Sequence, residues 1–253
     1  MQILLISDLR GELERLALLL ARRGRFAWDA VCFCGNIVAG TARAGEWEAA
    51  ARENRPPNRN SREIIEEAYQ DLRTYKQFCN ALNQLELPVL LVPGEYDAPE
   101  ERYFLFLQQA AFGSDTLIVV QENIVKVGPY LFSGFGGRLT EAQHEDYFLL
   151  RYDRRETVFG LRRFHYLNPP RILLFHTPPA LPDDEPDQAR LASPLLTDLI
   201  NQAAPSLLFC SSPTRRPKAT AFGGTVVVQP GSLAEGHFAV VQTKTREASF
   251  HTL

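Results

Sequence analysis

Residues 2–10, QILLISDLR, decide the fold that we expect for this chain. The four apolar residues at 3–6 follow one another without polar alternation, which is typical of a strand buried on both faces, as in parallel sheets. The apolar run ends abruptly in Ser-Asp-Leu-Arg. Asp8 and Arg10 are therefore expected at the carboxyl end of a buried strand, where open α/β sheets bind their ligands.

Three later stretches repeat this design. The apolar runs 30–34, 89–92 and 172–175 each end in polar residues. Because the loops at the carboxyl ends of parallel strands leave the covered core on the same side, we expect the four loops to deliver their polar side chains to one pocket. The side chains concerned are Asp8, Arg10, Asn36, Glu95, Tyr96, Asp97 and His176.

Helical patterns occupy much of the sequence between the strands. Apolar residues at three- and four-residue spacing, together with capping residues, predict the helices. The predicted helices cover 12–23, 61–87, 99–112, 141–167 in two pieces, and 194–202. The Pro- and Asn-rich stretch 40–60 is expected to be an excursion at the rim of the sheet that contains a short helix.

Two sets of short strands are predicted in the rest of the chain, and short connections within the sets predict antiparallel pairing. The first set covers 117–120, 124–127 and 130–133, and the second covers 225–229, 237–242 and 247–251. The glycine-rich stretch 134–137 is expected to be a flexible loop. Two β-rich halves with outer helices predict one α/β domain, residues 1–253, built as a four-layer α-β-β-α sandwich with mixed sheets.

The composition is that of an ordinary globular protein. Of the 253 residues, 45% are hydrophobic and 23% are charged, and the formal net charge is -3. This charge gives no general attraction to nucleic acid or to an acidic membrane, and no apolar segment reaches the roughly 20 residues that span a bilayer. We therefore expect a cytoplasmic protein with neither kind of partner. Its oligomeric state is left open.

Two further groups of residues have ordinary interpretations. The four cysteines lack the C-x-x-C spacing of zinc or redox sites, so we expect buried, reduced thiols. Local clusters of basic residues, such as Arg151, Arg154 and Arg155, are interpreted as solvated surface.

The order of the polar motifs resembles the calcineurin-like metallophosphoesterase superfamily. The pattern of that family is D-x-H, G-D, G-N-H-D/E, H and G-H-x-H, with a Pro-Gly-Ser turn shortly after. The matching stretches here are Asp8 to Arg10, Gly35-Asn36, Gly94 to Asp97, His176, the polar loop 210–214 and Pro230-Gly231-Ser232. The match covers nearly the whole chain, and its altered motifs resemble a divergent prokaryotic subgroup.

The departures from the family pattern imply a degenerate site. In active members these loops bind two divalent metals bridged by the Asp of G-D, and a metal-held hydroxide attacks phosphorus. Here Arg10 replaces the first His, and a guanidinium cannot coordinate a metal. Asn36 replaces the bridging carboxylate, Glu95 and Tyr96 replace the Asn and His of G-N-H-D, and both His of G-H-x-H are missing. The resemblance therefore implies a phosphohydrolase that is weakly active or inactive.

Three uses of the remaining residues stay open. In the first, one divalent metal (Mn, Fe or Zn) is bound, and Tyr96 and Asp97 are the candidates for proton transfer in a mononuclear phosphoesterase. The candidate metal ligands are Asp8, Asn36, Glu95 and His176. In the second, no metal is bound, and Arg10 either pairs with Asp8 or Glu95 or grips a phosphate-bearing small molecule.

The third use is not enzymatic. The chain would then be an interaction protein, and either the excursion at 40–60 or the Phe-rich helix at 99–112 would contact a partner. The sequence leaves open which of the three uses applies, and with it whether the protein is an enzyme.

Overall fold

Two six-stranded sheets form the centre of the molecule. The structure is a computed structural model, and it describes residues 1–97, 103–105, 107, 116–140, 148–162, 170–212, 214 and 216–253. Its strands are β1 (Gln2–Ile6), β2 (Ala30–Phe33), β3 (Val89–Leu91), β4 (Leu117–Val119), β5 (Val125–Val127), β6 (Tyr130–Phe135), β7 (Arg138–Leu139), β8 (Arg151–Tyr152), β9 (Arg171–Phe175), β10 (Leu207–Phe209), β11 (Lys218–Phe222), β12 (Thr225–Gln229), β13 (His237–Gln242) and β14 (Glu247–Thr252). The α-helices are α1 (Leu13–Leu20), α2 (Thr41–Arg52), α3 (Arg62–Asn83), α4 (Arg154–Leu161), α5 (Pro186–Ala189) and α6 (Pro194–Ala203).

The first sheet has the strand order β14-β13-β1-β2-β3-β4. Strands β1 to β4 are parallel, with Leu4 opposite Val31 and Cys32 opposite Leu90. The hairpin β13–β14 extends the sheet beyond β1, with β13 antiparallel to β1 and β14 antiparallel to β13. The prediction of parallel strands for the runs at 2–6, 30–34 and 89–92 is thereby confirmed.

The second sheet has the strand order β11-β12-β10-β9-β6-β5. Its four inner strands, from β12 to β6, are parallel, and both edge strands are antiparallel to their neighbours. The short strands β7 and β8 form a separate parallel pair. Both large sheets are mixed, as predicted.

Two strand pairings were predicted wrongly. Strand β4 was expected to pair antiparallel with the strands that follow it, but it pairs parallel with β3, whereas β5 lies in the other sheet. Strand β12 was expected beside β13, but it lies in the second sheet between β10 and β11. In both cases a short connection crosses from one sheet to the other, so closeness in sequence does not imply pairing in a sandwich.

The apolar residues of β1 show how the layers are arranged. Ile3 and Leu5 pack between the sheets in a cluster that includes Phe132 and Leu174. The alternate residues, such as Leu4, pack in a second cluster with residues of α1 and α3. A third cluster fills the space between the second sheet and α6. The predicted α-β-β-α order is thereby confirmed.

The helices agree with the sequence patterns where they fall within the described residues. Helix α3 begins after Ser61, whose side chain accepts a hydrogen bond from the Ile64 N–H at 3.3 Å and so acts as the N-cap. The excursion at 40–60 contains α2. The predicted helix at 99–112 lies largely outside the described residues. Within the predicted helical range 141–167, residues 148–162 are described; α4 agrees with the prediction, but the prediction was wrong at 151–152, which form the strand β8.

Three smaller expectations concern loops, cysteines and membrane segments. The stretch 134–137 begins as strand, because β6 continues to Phe135. All four cysteines are buried and free, as predicted. Within the described part of the chain, none of the helices has the length and apolar character needed to cross a membrane.

Candidate functional site

One pocket lies beyond the carboxyl ends of β1, β2 and β9, with a volume of about 140 Å³. We call it the rim pocket. Its walls are formed by Asp8, Arg10, Asn36, Glu95, Tyr96, Arg138, His176, Thr177, Pro178, Leu191, Ser211 and Ser212. Six of the seven predicted site residues are therefore brought together, and the seventh, Asp97, does not line the pocket.

The loops after β1 and β2 are joined by backbone hydrogen bonds. The N–H of Asp8 donates to the Gly35 carbonyl and that of Arg10 donates to the Asn36 carbonyl, both at 2.9 Å. Asp8, Arg10 and Asn36 all adopt left-handed backbone conformations, with φ of 54°, 51° and 61°. Such conformations cost roughly 1–3 kcal/mol each and persist only where the surrounding structure enforces them. These bonds therefore fix the directions of three pocket side chains.

Asp97 anchors the loops from behind. Its carboxylate is fully buried and accepts hydrogen bonds from the backbone N–H groups of residues 36–38 and Gly94, at 2.8 to 3.2 Å, and from the Tyr75 hydroxyl. Burial raises the pKa of Asp97, while the surrounding N–H groups oppose this rise. The predicted proton-transfer role finds no support in this position, because the carboxylate faces the loop backbones and not the pocket.

Glycine allows the loops after β2 and β3 to approach each other closely. A Cβ atom placed on Gly94 would lie 2.1 Å from the Asn36 backbone nitrogen and 2.2 Å from its side-chain oxygen. A Cβ on Gly35 would lie 2.5 Å from the Gly94 Cα. No side chain fits between these loops, so the position of Asn36 in the pocket depends on both glycines.

The Asn36 amide links two of the predicted metal ligands, Asp8 and His176. Its Oδ1 accepts the Tyr96 backbone N–H at 3.0 Å, which turns Nδ2 toward the pocket. Nδ2 lies 2.8 Å from Asp8 Oδ1 and 3.3 Å from His176 Nε2. Because His176 Nδ1 lies 2.8 Å from the Cys34 carbonyl, Nδ1 carries a hydrogen, and Nε2 is left to accept from Asn36.

Arg10 pairs with Asp8, which is one of the two internal pairings that the sequence left open. One terminal nitrogen lies 3.4 Å from Asp8 Oδ1, and the guanidinium carbon lies 5.5 Å from the centroid of the Tyr96 ring. Arg10 Nε is buried and has no hydrogen-bond partner among the residues that the structure describes. The guanidinium therefore holds its place with donor capacity unused.

Glu95 is held by two arginines that the sequence analysis did not assign to the site. Arg151 bonds Glu95 Oε1 through Nε at 2.8 Å and through a terminal nitrogen at 2.7 Å, and Arg138 lies 3.8 Å from the same oxygen. Arg138 and Arg151 face each other across the β7–β8 pair. The interpretation of Arg151 as solvated surface was wrong, because its side chain is only 24% exposed and binds Glu95.

Tyr96 is positioned from behind by Arg43 of α2. Arg43 donates to the Tyr96 carbonyl at 2.8 Å and to Asp71 of α3 at 2.6 Å. Burial raises the pKa of Asp71 to about 6, although Arg43 lowers it. The pKa of the Tyr96 phenol is raised above its usual value by burial and by the Glu95 carboxylate. At neutral pH Tyr96 is therefore protonated, which makes it a weak candidate for the predicted proton transfer.

The arrangement does not fit the two-metal centre that the family pattern implies. The Asn36 amide presents N–H groups, not oxygen, to Asp8 and His176, and a cation needs the lone pairs that those N–H groups occupy. Glu95 points its Oε1 at Arg151. In the part of the chain that the structure describes, no three or more His, Cys, Asp or Glu side chains are grouped to hold a metal ion. The assignment of Asp8, Asn36, Glu95 and His176 as ligands of a single metal therefore stays a prediction.

A family model decides the classification. The model described as metallophosphoesterase, calcineurin superfamily, matches residues 1–253. The chain belongs to this family. The resemblance inferred from the motifs is therefore confirmed.

Solved structures share the fold at low sequence identity. A crystal structure that is 24% identical has a TM-score of 0.89, with 99% of this chain and 98% of that chain covered. The structure of TT1561 from Thermus thermophilus is 23% identical with a TM-score of 0.80 and the same coverage. A dimetal phosphatase from Danio rerio is 13% identical with a TM-score of 0.54, again over 99% and 98%. No curated protein matches the chain. These likenesses establish the fold of this family member.

Proposed function

We propose that the rim pocket binds a phosphate-bearing small molecule through arginine and amide groups, and that the protein is weakly active or inactive as a phosphohydrolase. The observation that carries the proposal is the Asn36 amide, whose two N–H groups point at Asp8 and His176. The neutral Asn36 amide thus donates to Asp8 Oδ1 and His176 Nε2. It thereby occupies the lone pairs that a bound cation would need.

The charges of the pocket favour an anionic ligand. Three guanidinium groups meet the carboxylates of Asp8 and Glu95: those of Arg10 and Arg138 line the pocket, and that of Arg151 binds Glu95 from beside it. The excess charge of these five groups is positive. Arginine binds phosphate through parallel N–H bonds, and such charge-assisted bonds are about twice as strong as neutral ones.

Two of the arginines still have donors to offer. The Arg10 side chain is 29% exposed and, within the described residues, pairs with Asp8 through one terminal nitrogen at 3.4 Å. The Arg138 side chain is 32% exposed, and its separation of 3.8 Å from Glu95 exceeds a hydrogen bond. A phosphate group in the rim pocket would therefore gain donors without breaking the tighter Arg151–Glu95 pair.

The groups needed for hydrolysis are poorly placed. An attacking water needs a proton acceptor or a metal that lowers its pKa. His176 Nε2 already accepts from Asn36, the Tyr96 phenol has a raised pKa, and Asp97 lies outside the pocket. These positions support binding with little or no turnover.

The proposal is tested by the affinity for inorganic phosphate, measured by titration calorimetry. Replacing Arg10→Gln is expected to weaken phosphate binding by about tenfold or more, because a charge-assisted hydrogen bond contributes roughly 1.5–3 kcal/mol. Arg62→Gln is the matched control, since this α3 arginine has an 84% exposed side chain away from the pocket. Equal affinity in the wild type and Arg10→Gln, or no phosphate binding by the wild type, would refute the proposal.

The mononuclear enzyme is separated from the binding protein by adding metal. We expect neither stoichiometric Mn, Fe or Zn in the purified protein by elemental analysis nor Mn-stimulated hydrolysis of generic phosphomonoesters and diesters. If Mn stimulated hydrolysis and both Glu95→Gln and His176→Ala abolished it, a single-metal phosphoesterase would replace the proposal. If the hydrolytic activity were unchanged by Glu95→Gln and by His176→Ala, it would come from a contaminating enzyme.

A further inference from the structure

A second cavity opens beside the rim pocket, along one side of α2. It has a volume of about 370 Å³, which lies within the range of roughly 300–1,000 Å³ typical of small-molecule sites. We call it the α2 cleft. Neither the motif pattern nor the proposed phosphate site accounts for it.

The α2 wall of the cleft is one face of the helix. Its residues are Ala44, Trp47, Glu48, Ala51 and Arg52, which follow the three- and four-residue spacing of a single helical face. The two alanines leave space along this face, while the indole supplies a flat surface. Glu48 and Arg52 add an acceptor and a donor at its edge.

The cleft and the rim pocket share a wall. Tyr96 lines both cavities. Arg151 lines the cleft and binds Glu95, which lines the rim pocket. The Arg151 guanidinium lies over the Trp47 ring at 4.9 Å, and that of Arg10 lies over the Tyr96 ring at 5.5 Å. Alternating guanidinium and aromatic groups thus run from the phosphate site into the cleft.

We infer that the ligand is a phosphate ester that carries a planar ring, with the phosphate in the rim pocket and the ring in the α2 cleft. The inference rests on the proposed function. Indole and guanidinium planes stack on aromatic rings, and such stacking is tolerant of ring identity. The polar groups at the cleft edge suit the hydrogen-bonding edge of a heterocycle, so nucleoside monophosphates represent the ligand class.

The contribution of the ring is measured by comparing two probes that share a phosphate and a sugar. Adenosine 5′-monophosphate is expected to bind the wild type about tenfold or more tightly than ribose 5-phosphate, because the stacking of one base on an aromatic side chain strengthens binding by about this factor. Trp47→Leu should bring this affinity ratio close to one. Trp47→Phe, which keeps a ring, should give an intermediate ratio.

Controls separate stacking from a general loss of structure. Tyr69→Ala removes an aromatic ring that is 65% exposed on α3 and lines neither cavity, so the affinity ratio should not change. The chain has two tryptophans, and Trp28 is buried in the core at 5% exposure. Quenching of tryptophan emission by the adenine nucleotide should therefore disappear in Trp47→Phe.

The outcomes distinguish this inference from the proposed function. If both probes bind equally, or if Trp47→Leu leaves the ratio unchanged in a folded protein, the α2 cleft does not hold the ring and the inference fails, while phosphate binding in the rim pocket stands. If neither probe nor inorganic phosphate binds, both proposals fail. If the nucleotide binds and Arg10→Gln has no effect on it, the rim pocket is not the phosphate site, and both fail as well.

Discussion

The carboxylates of Asp97 and Asp8 both follow parallel strands of the first sheet, but they are stabilised in opposite ways. Asp97 is bonded by four backbone N–H groups and a tyrosine hydroxyl. Asp8 is bonded by the side chains of Asn36, Arg10 and Ser7. Backbone partners belong to the scaffold, whereas side-chain partners can change with function. The comparison separates a carboxylate that stabilises the loop framework from one whose partners can change without disturbing that framework.

The comparison predicts unequal costs for the same substitution at the two positions. Asp97→Asn is expected to lower the free energy of unfolding by about 3 kcal/mol or more, because an amide has one accepting oxygen and its NH₂ would face backbone donors. Asp8→Asn should cost about 1 kcal/mol, since its partners are side chains that can rearrange. Urea denaturation at neutral pH measures both values.

Equal costs at the two positions would contradict the distinction between scaffold and pocket. If Asp97→Asn lowered the free energy of unfolding by less than Asp8→Asn does, the assignment of Asp97 to the scaffold and of Asp8 to the pocket would have to be reversed. The pair is well matched, because both side chains are buried and both substitutions conserve shape.

The scaffold side of the comparison is also tested by Gly94→Ala. The added methyl group would lie within 2.2 Å of Asn36 atoms, so the two loops must separate, at a cost of roughly 1–3 kcal/mol. Gly45→Ala is the control, because its Cβ would meet no atom within 4 Å and alanine favours helix α2 by about 0.5–1 kcal/mol. Thermal unfolding should therefore shift in opposite directions. A tolerated Gly94→Ala would show that the loop contact is not needed.

Strand ends and motif order were sufficient to predict the location of the pocket. The apolar runs at 2–6, 30–34, 89–92 and 172–175 all end in polar residues, and the rule that the carboxyl ends of parallel strands share an edge brought Asp8 and Asn36 together at the first sheet. His176 follows β9 of the second sheet and lines the same pocket. The same rule explains why Asp97 was included wrongly among the groups facing a ligand. It gives the edge of the sheet but not the direction of each side chain.

Other parts of the site depend on contacts that leave no local pattern. Arg138 and Arg151 become neighbours through two strands of two residues each, which are too short for a periodic signal. To predict the α2 cleft, one would need the position of α2 relative to Tyr96. That position is set by the hydrogen bond from Arg43 to the Tyr96 carbonyl, which joins residues far apart in sequence. Strand β4 pairs with β3 and not with β5, because the short connection after β4 leads to the other sheet. The length of a connection in sequence does not show whether it leads to the other sheet.

The smallest expected effect comes from Asn36→Asp, which introduces the carboxylate that the motif pattern predicts at this position. The carboxylates of Asp8 and of the new residue would raise each other's pKa, and the hydrogen bonds that the Asn36 amide donates would be lost. Because one of the two carboxylates can take up a proton, the free energy of unfolding is expected to fall by only about 1 kcal/mol. A divalent cation would then bind the new pair, and excess Mn should recover roughly 1–3 kcal/mol of stability by mass action. Thermal unfolding with and without Mn measures both changes, with wild type as the control.

Because Asp8 and His176 keep their positions, a gain of Mn binding in the variant would show that the Asn36 amide alone prevents cations from binding in the pocket. If the variant still ignored Mn, then Arg10 beside Asp8 would also have to be removed before a metal could enter.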